Sequence, residues 1–448
     1  MRKLFTILLV SAALALADAP SVIAIRDAKI VPVSGPTIPS GTVVLRNGLI
    51  EAVGANVQPP ADAWIIEGKG LTVYPGLIDG LSTLGIPQAA PATGVAAGAG
   101  GRGGAPAAAA ANAPVIRGPE DRPSTTSWVM AADQIVPTEK RIETFRSAGF
   151  TTAVTFPMTG IFAGQGSVVD LAGDKAGKMV VTSPVGQYIS MRTAGGFGGS
   201  FPSALFGVIS YVRQIYIDVD HYKLEKKAYA ENPRGMARPE YDRALEGVIA
   251  SPRILLPANR AVEITRMTKF SAELKQPTIL YGGHEAYRMA GDLKLPMLVS
   301  LKWPVKQRDS DPDEIDSLRT LEVREMAPSS PAALAKAGVK FAFYSDGIEK
   351  PADVLAAVKK SIDAGLTPEQ ALRAMTLSVA EMFGVDDRLG SIEKGKIANL
   401  VVTKGDLFDK PQVQFIFVDG QKFEPVPDET PQGPGQGAGG RRPTGGVE

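Results

Sequence analysis

Residues 75–85 read Pro-Gly-Leu-Ile-Asp-Gly-Leu-Ser-Thr-Leu-Gly, an apolar segment interrupted by Asp79 and then by small polar residues. An apolar run that leads into glycine and small polar residues is typical of a buried strand that ends at a loop. The preceding residues, 18–75, form short runs rich in β-branched side chains around an Arg46-Asn47-Gly48 turn. Because Asn-Gly between such runs is a strong hairpin signal, the chain is predicted to begin with a small antiparallel sheet.

The far end of the chain repeats this pattern. Asn399-Leu400-Val401-Val402 and Gln414-Phe415-Ile416-Phe417-Val418 are strand-like, and an Asp419-Gly420 turn follows. Two β-rich ends around a mixed centre predict one small composite β-sandwich domain, formed by residues 18–75 and 386–425.

Residues 76–385 alternate strand-sized apolar runs with helical patterns, which predicts an α/β domain with a parallel sheet. The clearest helix covers residues 367–383, where Thr367 is the predicted N-cap, Pro368 the first helical residue and Gly384 the stop. About 300 residues of such alternation favour a (β/α)8 TIM-like barrel, and a doubly wound sheet is the alternative.

Several motifs carry a resemblance to a known family. Residues 75–85 resemble PGLIDxHxHLG, the opening barrel strand of the amidohydrolase superfamily, especially of its imidazolonepropionase-like branch. Residues 374–384 and 388–402 resemble its last barrel helix and its return to the sheet domain, with Asn399 in place of the usual Asp. Tyr344-Ser345-Asp346-Gly347 stands where the family has GTD or GSD. The resemblance implies a barrel with a composite β-sandwich that hydrolyses non-peptide C–N bonds through one or two divalent metal ions.

Most of the family's metal-ligand positions are substituted. The HxH pair, which alternation along a strand would turn toward one metal ion, corresponds to Leu81 and Thr83. The third ligand position falls at Pro257, and only His284 keeps a ligand type. The resemblance implies a dinuclear centre with four histidines, whereas this chain has two, His221 and His284. A degenerate metal centre is therefore expected.

Asp346 is the candidate catalytic residue, as general base or metal ligand, because it follows a buried strand at the barrel mouth. The alternative is a turn-forming aspartate left after the metal was lost. His284 could join Asp346 and Glu285 around one divalent ion, zinc, although no cofactor is the first expectation; otherwise it is a histidine hydrogen-bonded at a strand end. His221 lies in a charged stretch and is predicted to face solvent. Asp79 is predicted to brace the first barrel strand.

Composition excludes other classes of function. With 48 basic and 47 acidic side chains, the net charge of +1 gives no attraction for nucleic acid. The absence of cysteine excludes disulfides, thiolate metal sites and cysteine nucleophiles. Composition does not exclude Ser-His-Asp chemistry, but the absence of a GxSxG elbow argues against it.

The first 17 residues predict a signal peptide and hence an exported protein, periplasmic or secreted. A basic start precedes an almost wholly apolar run over residues 4–16, and Ala15-Leu16-Ala17 offers a cleavage site. The run is shorter than the ~20 residues that span a bilayer, so no membrane span is expected. Residues 88–114 are predicted to be a low-complexity Ala/Gly loop, and residues 426–448 a disordered Pro/Gly tail.

The sequence thus predicts an exported amidohydrolase-like protein with weak or no hydrolysis and a small-molecule ligand at the barrel mouth. One alternative is an active hydrolase of small cyclic amides with a single metal ion. Another is a non-catalytic subunit of a hetero-oligomer with an active paralogue; a homo-oligomer is also left open. The substrate itself is not predicted, because barrels of one fold serve many chemistries.

Overall fold

The structure is a computed structural model that describes residues 21–88, 122–193, 202–306, 315–409 and 411–426. The predicted signal peptide and nearly all of the Ala/Gly loop and the C-terminal tail lie outside these ranges, and they stay predictions.

Strands fill both ends of the described chain and recur through its centre. They are β1 (Val22–Ile30), β2 (Ile38–Arg46), β3 (Leu49–Gly54), β4 (Trp64–Glu67), β5 (Thr72–Pro75), β6 (Leu77–Ser82), β7 (Phe150–Thr155), β8 (Phe162–Gln165), β9 (Ser167–Asp170), β10 (Val180–Thr182), β11 (Gln187–Ile189), β12 (Ile254–Ala258), β13 (Thr278–Gly282), β14 (Met297–Ser300), β15 (Phe341–Tyr344), β16 (Leu400–Lys404), β17 (Gln412–Val418) and β18 (Gln421–Phe423).

Helices lie between the central strands and after the last of them. They are α1 (Lys140–Ser147), α2 (Ala176–Met179), α3 (Leu205–Glu231), α4 (Arg243–Ala250), α5 (Ala261–Leu274), α6 (Leu318–Met326), α7 (Ser330–Lys336), α8 (Pro351–Asp363), α9 (Pro368–Ala374) and α10 (Leu377–Phe383). In the ranges that the structure describes, no helix is long and apolar enough to cross a membrane.

Strands from the two chain ends share one sheet, as predicted. Its order is β18-β17-β16-β5-β1-β2-β3, with β4 beside β1. The ends join where β5 pairs antiparallel with β16, with Val73 opposite Val402. Buried Ile25, Leu400 and Phe417 belong to one apolar cluster, so both ends contribute to one core. The ladders assign all these strands to a single sheet, and the two-layer form of a sandwich stays a prediction.

The central strands form two more sheets, of order β10-β9-β7-β6 and β15-β14-β13-β12-β11-β8. Only Gly166 separates β8 from β9, so one extended segment, 162–170, belongs to both sheets. A side chain at Gly166 would lie 2.3 Å from the Phe156 ring, so the crossing point requires glycine. This segment runs antiparallel to β7 and β11, whereas β11 to β15 are mutually parallel.

The predicted strand–helix alternation over 76–385 is therefore correct only in part. It holds from β11 onward except between β13 and β14, which are joined by a loop with a single 3-10 turn, Ala286–Arg288. Earlier in the chain, β7 leads to β8 through six residues, 156–161, that include Pro157 and Gly160. A parallel crossover needs a dozen or more residues, so this short link returns the chain antiparallel. Within the described ranges, the ladders do not close a ring of eight parallel strands.

The seam between β6 and β15 is held by a side chain instead of a backbone ladder. Asp79 Oδ1 accepts a hydrogen bond from the Ser345 backbone N–H at 3.0 Å, and Oδ2 accepts one from Ser345 Oγ at 2.5 Å. The backbones approach closely here, since a Cβ added to Gly80 would lie 2.7 Å from the Phe343 carbonyl oxygen. Asp79 thus braces the first central strand against the last.

The helix predicted over 367–383 is divided into α9 and α10. The predicted N-cap is confirmed, because Thr367 Oγ1 accepts from the Gln370 N–H at 3.2 Å. The Gln370 side chain accepts from the Thr367 N–H in return, which completes a capping box. The break falls at Thr376, whose φ of −139° and ψ of −96° are not helical. The Met375 carbonyl there accepts from the Ile78 N–H at 2.8 Å, so the interruption ties the helices to β6.

Candidate functional site

A cavity of about 100 Å³ lies at the C-terminal ends of β6 and β15. It brings together residues that the sequence singled out and residues that it did not. Its lining includes Leu81, Thr83, Arg141, Met158, Tyr188, Tyr281, Tyr344, Asp346 and Glu349. We call this cavity the mouth. Pro257 and His284 are not among its lining residues.

The residues at the substituted HxH positions pack in the core or form hydrogen bonds. Leu81 is 1% exposed and belongs to an apolar cluster with Ile78 and Leu298. Thr83 Oγ1 accepts a hydrogen bond from Arg141 Nη1 at 3.1 Å, and Arg141 Nη2 donates to the Thr83 carbonyl at 2.9 Å. The guanidinium is further paired with Glu139 at 3.0 Å. A fixed positive charge therefore stands at a position where the resemblance would place a metal ligand.

Asp79 has no oxygen to spare for a metal ion. Beyond the two bonds from Ser345, Oδ1 lies 3.5 Å from the Leu81 N–H. Burial raises the pKa of Asp79 to about 6, and its hydrogen bonds oppose that rise only in part. Asp79 therefore has a structural role at the seam. With this pKa, its carboxyl group is partly protonated at mildly acidic pH.

Asp346 sits at the mouth in a left-handed conformation, with φ of 51°. Its Oδ2 accepts a hydrogen bond from Ser300 Oγ at 2.7 Å. Among the residues described here it has no ion-pair partner, so its charge is uncompensated. That charge reaches the neighbouring groups: burial raises the pKa of Tyr344, and Asp346 raises it further.

His284 lies behind the mouth in a buried position. Its backbone N–H donates to Asn259 Oδ1 at 3.0 Å, and its ring centroid lies 5.6 Å from that of Trp303. Nε2 is buried and has no hydrogen-bond partner among the described residues. Burial lowers the pKa of His284, while the Asp346 charge opposes this effect. The imidazole is therefore neutral at pH 7, with one ring nitrogen unused.

The other sequence candidates have structural roles or lie elsewhere. Glu285 is 2% exposed; its Oε2 accepts from the Ala261 N–H at 2.9 Å, and Arg319 bridges both oxygens at 3.0 and 3.1 Å. Pro257 lies within β12, opposite Tyr281, and offers no ligating side chain. His221 is exposed on α3, as predicted.

Three tyrosines of the mouth were not predicted from the sequence. Tyr188 and Tyr281 stack with ring centroids 5.1 Å apart, and Tyr344 stands edge-on to Tyr281 at 6.5 Å. The Tyr281 hydroxyl donates to the Ile189 carbonyl at 3.2 Å. Burial raises the pKa of all three hydroxyls, so they are protonated at neutral pH. Their available signal was position, since Tyr281 and Tyr344 lie at the C-terminal ends of strands.

The donor set does not fit the family's divalent metal centre. Stable protein sites for such ions take three or more side-chain ligands. Within the described ranges, no three His, Asp or Glu side chains are grouped closely enough to hold a metal ion. Leu81 and Pro257 have no donor atom, and the Thr83 hydroxyl already faces a guanidinium.

Comparisons with known proteins agree with this architecture. Residues 312–424, about a quarter of the chain, match the amidohydrolase family. An amidohydrolase from Thermotoga maritima MSB8 is 24% identical, with a TM-score of 0.70 over 90% of this chain and 100% of that one. A putative prolidase from Bifidobacterium longum is 14% identical, with a TM-score of 0.51 over 92% and 97%. Molinate hydrolase is 14% identical, with a TM-score of 0.52 over 96% and 99%.

At these identities the structural likeness shows the fold. A comparison with curated proteins found no match.

Proposed function

We propose that the chain is a member of the amidohydrolase family, and that it keeps a ligand-binding mouth while lacking a hydrolytic dinuclear metal centre. The Arg141–Thr83 contact, with Leu81 buried beside it, is the observation that carries this proposal. A metal ion bound by the Thr83 hydroxyl would lie close to the Arg141 guanidinium group. The Thr83 hydroxyl already accepts the Arg141 N–H at 3.1 Å, so a metal ion bound there would have to displace this hydrogen bond.

The proposed function is therefore binding of a small molecule, with weak or no hydrolysis. Asp346 would orient the ligand as a charged group at the mouth. Without a metal ion to lower the pKa of a bound water, the carboxylate has no activated water to deprotonate. The export predicted from residues 1–17 would place this binding protein outside the cytoplasm.

A hydrolase with one metal ion is the second candidate. The unpartnered, buried Nε2 of His284 favours it, because native proteins seldom leave a buried ring nitrogen unused. His284 and Asp346 would be the holding residues, as the sequence analysis proposed. A third protein ligand is missing among the described residues.

Metal analysis of the purified full-length protein separates these candidates. The binding proposal expects less than one zinc ion per chain after exposure to excess zinc and desalting, and an unchanged melting temperature in EDTA. The two histidines supply a matched pair of variants, His284→Ala and His221→Ala. One zinc ion per chain that is lost only in His284→Ala would overturn the binding proposal in favour of the single-metal hydrolase.

We also infer that the two central sheets form a barrel whose third strand, the 162–170 segment, is reversed. The shared segment connects the sheets on one side, and the Asp79–Ser345 contacts connect them on the other.

A non-catalytic role beside an active paralogue is compatible with this architecture. Co-purification of the native complex would test this role. A monomeric molar mass of the natively purified protein, measured by light scattering, would count against it.

A further inference from the structure

The charges at the mouth do not balance. Asp346 and Glu349 both line it, and neither has an ion-pair partner among the described residues. Arg141 is the cation in the lining, and Glu139 already pairs with it at 3.0 Å. Arg192 affects the pKa of Tyr188 and Tyr281 but is not part of the lining. The mouth is thus an acidic recess that a positive group would neutralise.

The rest of the lining includes aromatic and apolar side chains. The Tyr281 ring centroid lies 5.1 Å from that of Tyr188 and 6.5 Å from that of Tyr344, and Leu81 and Met158 add apolar side chains to the lining. Aromatic rings attract cations by about 0.5–2 kcal/mol, most strongly where water is excluded. A hydrated inorganic ion gains little from such walls, whereas an alkylated ammonium can use the carboxylate and the rings together.

The size of the cavity limits the ligand. A dry cavity of about 150 Å³ admits benzene. The mouth, at about 100 Å³, is smaller and suits a head group of a few heavy atoms. A larger ligand would have to extend past Asp346, which is exposed, into solvent.

We propose that the mouth binds a small organic ammonium group, with the Asp346 carboxylate as its counter-ion and the three tyrosine rings as its wall. This inference rests on the proposed function, because a metal ion at Asp346 would already neutralise the recess.

Titration calorimetry with tetramethylammonium chloride on the metal-free full-length protein tests the proposal. We expect saturable binding that weakens with added salt, and no binding of tert-butyl alcohol, an uncharged molecule of similar shape. Asp346→Asn should weaken binding about tenfold or more, as expected when one charge pair is lost. Asp353→Asn, which neutralises an exposed carboxylate on α8 outside the lining, should leave binding unchanged.

The aromatic wall has its own test. Tyr281→Phe keeps the ring and should retain binding, whereas Tyr281→Leu should weaken it; circular dichroism checks the fold of both. Equal affinity for tert-butyl alcohol, or an unchanged affinity in Asp346→Asn, would overturn the inference. If metal-free protein binds no tetramethylammonium, this inference fails while the proposed function stands. Stoichiometric zinc at His284 would defeat the proposed function and, with it, the ammonium site.

Discussion

Asn399 Nδ2 lies 2.7 Å from Asp170 Oδ1, across the junction between the composite sheet and the central strands. The same amide donates to Thr152 Oγ1 at 3.1 Å, and its oxygen accepts from the Asp419 N–H at 2.7 Å. Burial raises the pKa of Asp170 to about 7. The family's usual Asp at position 399 would therefore oppose a second buried carboxylate, which explains the amide found here.

Asn399→Asp should destabilise the protein in a pH-dependent way. At pH 8 two carboxylates would share one buried site, and we expect a loss of about 3 kcal/mol in the free energy of unfolding. At pH 5 one of them holds a proton and can donate to the other, so the loss should be smaller. Urea unfolding at both pH values measures the difference.

The exchange variant Asp170→Asn/Asn399→Asp is the matched control for this prediction. It rebuilds one amide and one carboxylate with their positions swapped, so stability at pH 8 should recover by about 2 kcal/mol relative to Asn399→Asp. Equal losses in the single and the double variant would show that the two side chains are not coupled.

Asp79→Asn should change how stability depends on pH. The Asp79 pKa is about 6 in the folded protein and 3.8 in the unfolded reference, so the folded state binds its proton more tightly. The resulting stabilisation is complete below pH 3.8 and is lost as the pH rises through 6. The shift corresponds to about 3 kcal/mol.

The stability of Asp79→Asn relative to wild type should therefore rise between pH 4 and pH 7. The amide mimics the protonated acid at every pH, whereas wild type loses the proton in this range. Melting temperatures across this range measure the gap. Asp353→Asn, at an exposed position, should follow wild type throughout. A constant gap between Asp79→Asn and wild type would contradict the raised pKa.

The parts of the fold that follow from local patterns could be predicted from the sequence. The Asn47-Gly48 hairpin joins β2 and β3, and the Thr367 cap begins α9, because turn and cap preferences act over a few residues. The reversed segment 162–170 was missed, because strand-like residues look the same in either direction. Its direction is set by the short link after β7 and by the Gly166 contact with Phe156, which is a tertiary feature.

The candidate site was only partly accessible to sequence reasoning. The substitutions at Leu81, Thr83 and Pro257 were visible because they break a motif. The Arg141–Thr83 contact joins residues 58 positions apart, and no local pattern signals it. The tyrosines of the mouth were signalled only by their position near strand ends, and a buried tyrosine at such a position usually serves the core.

Arg141→Ala should destabilise the loop that follows β6. Three of its hydrogen bonds, to Thr83 Oγ1, the Thr83 carbonyl and the Ile86 carbonyl, would be lost from a largely buried position. Hydrogen bonds to charged groups contribute about 1.5–3 kcal/mol, so we expect a loss of about 2 kcal/mol. Urea unfolding measures it. Arg266→Ala, at an exposed position on α5, should stay within about 0.5 kcal/mol of wild type, and a comparable loss there would contradict the assigned role.

Gly80→Ala should disrupt the seam between β6 and β15. Its new Cβ would lie 2.7 Å from the Phe343 carbonyl oxygen and 3.1 Å from a Leu298 methyl carbon, and the carbonyl belongs to a backbone that cannot move freely. Overpacking at such a site costs about 3 kcal/mol, measurable by urea unfolding. Gly177→Ala is the matched control: it lies in α2 with nothing within 4 Å of the added atom, and alanine favours helices, so its stability should be unchanged or higher. A Gly80→Ala variant as stable as wild type would contradict the close approach of the two strands. It would also contradict the role of the Asp79–Ser345 contacts in holding the seam.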